Sequence, residues 1–496
     1  MASDTENKPW RISREHIVTA YRAGLDAVIS LVEYQQELIG SLRAQIGSLE
    51  ARVAELERRL HTDSHNSSKP PSSDGMSRKV VQTRKRTGRK PGGQKGHEGT
   101  TLRVTENPDH VVVHAVGNCC GCGKHLGQEA LVGYERRQEV DLPPLRAEVT
   151  EHRGEIKLCG CGLENRGEFP QGLNGPVQYG PRIRGTLIYL KDYALLPFER
   201  AAELMQDLFG VRLSAGTLAN VEQECSGKLE GTVGRIKEQI RGSEVANLDE
   251  TGLRIEGKLS WLHSAGTGSA TYYFPHARRG TEAMEAMGIL PGYRGVAVHD
   301  FWSSYLGYRC PHALCNAHLL RELTFIWEEW GQKWSQEMAE GLRGWKKVVD
   351  RAKAKGLGAL SARLLQQIEQ EYDRIVQRGL RASPLAAQTG PPRRGRRKKS
   401  KARNLVERLR DHREKVLRFV HDLRVPFDNN GAERDLRMMK VQQKISGTFR
   451  SWQGAVAFCR IRSYIATARK RGLNVIEALT SVFFGEPLLD KLLAET

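Results

Sequence analysis

The sequence lacks any run of eighteen apolar residues, which is close to the minimum length of a transmembrane helix. Its first ten residues, MASDTENKPW, also lack the basic and then apolar regions that mark a signal peptide. These absences argue against a membrane partner and favour a protein that stays in the cytoplasm. There are nine cysteines, and in that compartment closely spaced cysteines more often bind metal than form disulfides.

Acidic residues are outnumbered by basic ones. The chain has 58 Asp and Glu against 77 Lys and Arg, a formal net charge of +19 and a pI near 9.6. Such an excess favours a polyanionic partner, and nucleic acid is the default, so we expect a nucleoid-associated protein. At 496 residues the chain is long enough for roughly three or four domains.

A heptad pattern over residues 39–60 predicts a coiled coil. β-Branched residues at position a with leucine at position d favour a parallel two-stranded coil, so we expect a homodimer or a higher oligomer. The alternative is an amphipathic helix packed on the protein's own core. The a positions are Ile39, Ile46, Val53 and Leu60, and the d positions are Leu42, Leu49 and Leu56.

Basic residues concentrate in two segments that are expected to contact the phosphate backbone of DNA. A glycine-rich arm over residues 78–99 follows a Ser- and Pro-rich linker and is too polar to form a core, although a solvated tail is the alternative. A second basic loop follows Pro391 and Pro392. Three basic residues of a C-terminal helix are added to these two segments. The expected DNA contacts are Arg84, Lys85, Arg86, Arg89, Lys90, Lys95, Arg393, Arg394, Arg396, Arg397, Lys398, Lys399, Arg434, Arg437 and Lys440.

Two close cysteine pairs predict one structural zinc site. Cys119 and Cys122 form a C-x-x-C, Cys159 and Cys161 form a C-x-C, and each pair is followed by a glycine that permits a tight turn. Extended segments at residues 138–142 and 148–157 complete the layout of a zinc ribbon. Adjacent Cys120 is an alternative ligand, and four free thiols are the alternative to the whole site.

Helical periodicity dominates much of the remaining chain. Residues 199–209 and 214–229 read as a helix-turn-helix or equally as an ordinary helical hairpin, with Ser214 as the expected N-cap of the second helix. A helical insertion follows residue 318, with predicted helices at 319–330, 334–355, 360–378 and 404–425.

Two aspartates end two predicted strands. Residues 245–248 lead to Asp249 and residues 296–299 lead to Asp300, and between them the pattern is a hairpin (260–265 and 271–274) and a short helix (281–287). Strand, strand, strand, helix, strand is the opening order of the ribonuclease H-like fold. Its first and fourth strands are neighbours, so the two carboxylates are predicted to share divalent metal.

Glu433 is the candidate third carboxylate. Asp428, Asn429 or Asn430 is expected to cap a new helix that carries Glu433 near its start. The alternative is a helix-terminal glutamate that pairs with Arg437 four residues later.

Several motifs together resemble the TnpC-type transposases of insertion sequence sixty-six. They are SSKPPSSD, GRKPGGQKGHEG, the two cysteine pairs, LDET, HDFWSSY, CNAHLLREL and NNGAERDLRMMKVQQKISGTFRS, and they span nearly the whole chain. The resemblance implies a DDE transposase whose matching acids are Asp249, Asp300 and Glu433. The family usually has C-x-x-C as its second knuckle, so Cys159 and Cys161 depart from its pattern.

The implied activity is cleavage of a strand at the end of an insertion sequence and transfer of the exposed 3′-hydroxyl to target DNA. Two Mg²⁺ or Mn²⁺ ions held by the three acids would support both steps. Companion proteins encoded by the same element are a further implied partner. An inactive DNA-binding regulator and a resolvase-like nuclease of the same fold are the alternatives.

The predicted fold class is a multidomain α+β chain. Its segments are a coiled coil (1–62), a disordered basic linker and arm (63–103), a zinc ribbon (104–172), a helix-turn-helix-like region (173–240), a ribonuclease H-like α/β catalytic core in two parts (241–318 and 426–496) and an all-helical insertion with a basic loop (319–425).

Overall fold

The computed structural model describes residues 12–60, 66–67, 102–170, 172–173, 175–385 and 399–494. The predicted arm and most of the second basic loop lie outside these residues, and with them Arg84, Lys85, Arg86, Arg89, Lys90, Lys95, Arg393, Arg394, Arg396, Arg397 and Lys398. The chain divides into two compact units. The larger takes Met1–Lys79, Pro181–Leu195 and Val221–Thr496, and the smaller takes Val80–Gly180 and Leu196–Asn220. No helix within the described ranges has the length and apolar character needed to cross a membrane.

The described chain begins with two helices, α1 (Arg14–Ala23) and α2 (Leu25–Leu60). Ser13 caps α1, because its hydroxyl accepts a hydrogen bond from the backbone amide of His16. The second helix covers the whole predicted heptad segment. Its a and d side chains are exposed from Ile39 to Leu56, and Leu49 is 60% exposed, so α2 presents an uncovered apolar row along its length.

The smaller unit contains a short antiparallel hairpin of β1 (Ile156–Leu158) and β2 (Glu164–Arg166). The strand predicted at residues 138–142 is wrong, and of the one predicted at 148–157 only the last two residues are in a strand. Most side chains between the two cysteine pairs are exposed. Because that segment has no buried face to fix a register, only the second cysteine turn brings two strands together.

Four helices follow: α3 (Pro181–Ile188), α4 (Phe198–Phe209), α5 (Ala215–Lys228) and α6 (Glu230–Arg241). A π-helical turn, Tyr189–Tyr193, continues α3. Gly210 ends α4 in the left-handed conformation. The predicted N-cap of α5 is confirmed, because the Ser214 hydroxyl accepts from the Thr217 backbone amide at 3.1 Å.

A five-stranded mixed sheet forms the centre of the larger unit. From β3 to β6 the element order is the predicted one: β3 (Val245–Ile255), β4 (Lys258–Gly266), β5 (Thr271–His276), α7 (Thr281–Met287) and β6 (Val296–His299). A further strand that the sequence pattern does not predict, β7 (His312–Leu314), follows. The strands lie in the order β5-β4-β3-β6-β7. The first three are antiparallel neighbours, whereas β6 is parallel to both β3 and β7.

Asp249 does not end its strand, which corrects the prediction. β3 continues six residues further because it pairs with β4 as far as Ile255. The two strands are joined by a tight turn at Glu256 and Gly257, both with positive φ (52° and 75°). Positive φ at both central residues defines the turn that best matches the twist of a hairpin.

The rest of the described chain is helical. Its helices are α8 (Asn316–Trp330), α9 (Lys333–Ala354), α10 (Ala362–Ala382), α11 (Lys401–Asp411), α12 (Arg413–Val416), α13 (Arg418–His421), α14 (Asn430–Ser446), α15 (Trp452–Lys470), α16 (Val475–Phe484) and α17 (Leu488–Ala494). The single helix predicted at 404–425 is wrong, since the chain breaks at His412 and Leu417. Val416, Leu417, Phe419 and Val420, around the second break, are all buried.

Two apolar clusters hold the helices on the sheet. On the hairpin side, Leu253 of β3 and Tyr273 of β5 pack with Met439 of α14 and Phe458 of α15. On the other side, the side chains of β6 and β7 belong to one cluster with α8 to α13. The acidic residues Asp249 and Glu250 lie in the central strand β3, and Asp300 directly follows β6.

Candidate active site

Asp249 and Asp300 lie at matching positions of two neighbouring parallel strands. The last paired residues of β3 and β6 are Asn247 and Val298, and each aspartate is two residues beyond. A backbone amide holds each carboxylate: Glu250 N–H donates to Asp249 Oδ1 at 2.9 Å, and Trp302 N–H donates to Asp300 Oδ1 at 2.9 Å. Parallel register and these two hydrogen bonds bring both carboxylates to one edge of the sheet.

The pKa of Asp249 reflects its burial and its acidic neighbours. Burial raises the pKa of Asp249 well above its usual value, and the charges of Glu250, Asp300 and Glu433 raise it further. Only its hydrogen bond from the Glu250 amide acts in the opposite direction. Burial and the neighbouring acids therefore both favour the protonated form of Asp249 when no cation is bound.

Asn429 attaches the helix of Glu433 to the strand of Asp249. This asparagine is buried and is the N-cap residue of α14, but its side chain makes no capping hydrogen bond. It accepts from the Asn247 amide at 2.8 Å and donates to the Leu248 carbonyl at 2.8 Å, while its backbone N–H donates to Cys315 Sγ at 3.2 Å. The predicted capping role is instead taken by Asp428, whose carboxylate accepts from the Asn430 amide.

Glu433 lies in the first turn of α14 beside two basic side chains of α8. His318 Nε2 is 3.9 Å and Arg321 Nη2 is 3.8 Å from Glu433 Oε1. Burial lowers the pKa of His318, which favours its neutral form. Within the described residues Glu433 makes no ion pair with Arg437, so the predicted alternative partner is not the one that the structure shows.

The possible metal-ligand atoms of Cys315, His318 and Glu433 all lie within 4.8 Å of one another. No other three His, Cys, Asp or Glu side chains in the described ranges meet this condition. Asp249, Asp300 and Glu433 therefore do not all meet within that distance. Two ions about 3.5–4 Å apart, as in two-metal sites, need a wider ligand set than one ion does.

The described basic residues differ in their surroundings. Arg434 and Arg437 are exposed. Lys440 is half-buried and donates to the Gly252 carbonyl of β3, and burial lowers its pKa. Lys399 is ion-paired with Glu407. A contact with the DNA backbone needs an exposed basic side chain, and of these four residues only the two arginines are exposed.

The two cysteine pairs form similar turns in the smaller unit. In the first, Cys119 N–H donates to the Lys124 carbonyl and Gly123 N–H donates to the Cys119 carbonyl; in the second, Cys159 N–H donates to Leu163 and Gly162 N–H to Cys159. Both glycines have positive φ. Hydrogen bonds from backbone amides of Cys122 and of Cys161 lower the pKa of Cys119 and Cys159. The pairs are not gathered into a group of three or more ligand atoms in the described structure.

Sequence reasoning missed the supporting residues. In the sequence, His318, Arg321 and Cys315 stand out only as parts of the motif CNAHLLREL, and Asn429 only as a candidate cap. The C-x-x-H spacing of Cys315 and His318 at a helix start is a signal that could have found the pair, since positions three apart share a helix face.

Comparison with known families identifies the class of the protein. Residues 176–457, more than half of the chain, match the family described as "Transposase IS66 family". The class of the protein is therefore that of the transposases. Within that class the chain belongs to the IS66 family. Residues 25–103 match a second description, "Family of unknown function (DUF6444)", and no curated protein matches the chain.

Proposed function

We propose that this transposase is a DDE enzyme in which Asp249, Asp300 and Glu433 form the catalytic triad of a ribonuclease H-like core. It binds the ends of its insertion sequence, cuts one strand and transfers the exposed 3′-hydroxyl to target DNA. The order β5-β4-β3-β6-β7, with only the hairpin strands antiparallel, supports this fold. The observation that carries the proposal is the parallel register of β3 and β6, which places Asp249 and Asp300 side by side. Asn429 ties the start of α14, the helix of Glu433, to β3.

The donor set fits hard divalent cations. Carboxylate oxygens are the ligands that Mg²⁺ and Mn²⁺ prefer, and a cation between the acids would offset the burial that raises the pKa of Asp249. Asp249, Asp300 and Glu433 would hold two such ions. When bound, the ions supply an activated nucleophile and stabilise the charge that develops on the phosphate.

The chain's own residues prepare this chemistry. Backbone amides of Glu250 and Trp302 fix the two aspartates, and Asn429 fixes the start of α14 against β3. Arg321 is the cation nearest Glu433 and is placed to approach an anionic strand that enters the site. Arg434 and Arg437, which are exposed and lie on α14 with Glu433, would add further positive charge for binding the DNA backbone.

Two further proposals concern binding and assembly. The four cysteines Cys119, Cys122, Cys159 and Cys161 bind one structural Zn²⁺, supported by their matching turns and by the lowered pKa of Cys119 and Cys159. The exposed apolar row of α2 pairs with a second copy as a coiled coil, supported by the exposure of its a and d side chains.

A strand-transfer assay tests the activity. The protein is incubated with DNA that carries the ends of its element, a target plasmid and Mg²⁺ or Mn²⁺. Cleaved ends that become joined to the plasmid support the transposase. Hydrolysis without joining identifies a resolvase-like nuclease, and binding without cleavage identifies an inactive regulator.

A further inference from the structure

A second acid is buried directly beside Asp249. The Glu250 side chain is 1% exposed. Its Oε1 accepts from Arg279 Nε at 2.9 Å and Arg279 Nη2 at 2.6 Å, and its Oε2 accepts from the Tyr305 hydroxyl. Burial of a carboxylate is costly unless it is paired and hydrogen-bonded. Because both oxygens already have donors, Glu250 is held as a structural anion and not as a free metal ligand.

Arg279 is fixed by more than its ion pair. Its guanidinium carbon lies 4.9 Å from the ring centroid of Trp261 on β4 and 4.2 Å from that of Trp302 in the segment after β6. A planar guanidinium suits such stacking, and a lysine ammonium cannot reproduce it. Arg279 therefore connects the β3–β4 hairpin with the segment 300–305, which lies further along the chain and follows β6.

The same residues hold both catalytic aspartates. Trp302, which stacks on Arg279, donates its backbone amide to Asp300, and Glu250, which pairs with Arg279, donates its backbone amide to Asp249. Tyr305 closes the network, since its hydroxyl binds Glu250 and its ring lies 5.8 Å from that of Trp302. We name Glu250, Arg279, Trp302 and Tyr305 the arginine clamp.

We propose that the arginine clamp sets the relative positions of Asp249 and Asp300, so that Glu250 and Arg279 are positioning residues for the catalytic cations. β6 ends at His299 and residues 300–304 have no strand partner. The clamp replaces the missing ladder by tying this segment to β3. This inference rests on the proposed function, because it assumes that the two aspartates bind metal.

The test measures metal affinity apart from activity. Mn²⁺ binding to the full-length protein is followed by electron paramagnetic resonance, and the Mg²⁺ dependence of end cleavage is measured in parallel. Arg279→Ala is expected to weaken Mn²⁺ binding by about 10-fold or more, which is the usual effect of losing a group that orients metal ligands. High Mn²⁺ should restore most of the cleavage. Arg278→Ala, which removes the exposed neighbouring arginine, should match the unmodified protein in both measurements.

Two further variants separate positioning from simple charge balance and from misfolding. Arg279→Lys keeps the charge but loses the stacking and the paired donors, so its Mn²⁺ affinity should stay well below the original. Tyr305→Phe removes one donor while keeping the ring, and should weaken binding by a smaller factor with an unchanged circular dichroism spectrum. Unchanged Mn²⁺ affinity in Tyr305→Phe and full affinity in Arg279→Lys would overturn the clamp.

The failure of the clamp and the failure of the proposed function give different results. If the unmodified protein cleaves element ends and the Arg279 variants bind Mn²⁺ as it does, only the clamp is wrong. If the unmodified protein cleaves no element end with either Mg²⁺ or Mn²⁺, the proposed function fails, and the clamp fails with it.

Discussion

At the scale of single residues, the candidate site is held together by contacts between elements that are distant in the chain. Asn429 is 182 positions from Asn247, yet their side chains are hydrogen-bonded. Asp249, Asp300 and Glu433 could be chosen from the sequence because each follows a recognisable apolar run or helix start, although Asp249 lies within β3 and not at its end. The partners Asn429, Arg279 and Arg321 could not, because their roles depend on which strands become neighbours.

Glu433→Gln is the most informative single change, because spacing alone leaves Glu433 open to two roles. Glutamine keeps the volume and helix propensity but removes the charge that cations need, so the protein should fold and bind element ends while cleaving them at a vanishing rate. Asp249→Asn and Asp300→Asn should be equally disabling, since ligands of one site act as a unit. Cleavage is measured on labelled element ends.

The matched control is Glu282→Gln, which neutralises an exposed glutamate in the first turn of α7. It should leave cleavage unchanged. Cleavage by Glu433→Gln at the original rate would remove Glu433 from the triad and leave its third ligand unassigned.

At the scale of elements, periodicity predicted most helices and strands, and it failed where local turns or burial decide the outcome. The bounds of α7 and the existence of β4, β5 and β6 follow from the pattern. The full length of β3 depends on a turn in which Glu256 has positive φ, a conformation that a glutamate rarely adopts. The breaks between α11, α12 and α13 fall at His412 and Leu417, where no glycine or proline signals the end of a helix.

Glu407 should make the start of α11 sensitive to acid. Hydrogen bonds from Lys399 and Arg403 lower the pKa of Glu407 to about 2. Because the pKa of Glu407 is lower in the folded protein than in the unfolded chain, its ionised form stabilises the fold at pH values above about 4.3. This stabilisation is lost as the pH falls from about 4.3 towards 2. Glu407→Gln should therefore lower the melting temperature at pH 7, at a cost of about 1–3 kcal/mol, and the difference should shrink towards pH 2.

Circular dichroism melts across this pH range measure the effect. Glu414→Gln, in the exposed first turn of α12, is the control and should change little at any pH. A melting difference for Glu407→Gln that stays constant from pH 7 to pH 2 would contradict the ion-pair explanation.

The cysteine turns carry the second element-scale prediction. The purified protein should contain about one zinc ion per chain, and Cys122→Ser should release it while the sheet of the larger unit stays folded, because four-thiolate sites are closed and local. Elemental analysis measures the zinc. Cys225→Ser, at a buried cysteine of α5, is the control for loss of a thiol elsewhere and should keep the zinc. If the unmodified protein contains no zinc, the four cysteines are free thiols and the zinc site is wrong.

At the scale of the whole molecule, the sequence predicts a chain whose parts serve different steps of one reaction. The charge excess and the basic segments predict DNA binding, while the acids in the central sheet predict catalysis. How the basic arm meets DNA lies outside the described residues. The described residues do bear on self-association, because the apolar a and d side chains of α2 are exposed.

Leu49→Glu should convert an assembled protein to a single chain. The change places a charge at the centre of the apolar row, where pairing would bury it without a partner. The mass measured by light scattering should then fall from a multiple of 55.6 kDa to 55.6 kDa itself. Ala51→Glu introduces the same charge two residues away, on the opposite side of the heptad, and should leave the mass unchanged. If Leu49→Glu keeps the original mass, the coil is not the main contact between copies, and the exposed side chains of α2 need another explanation.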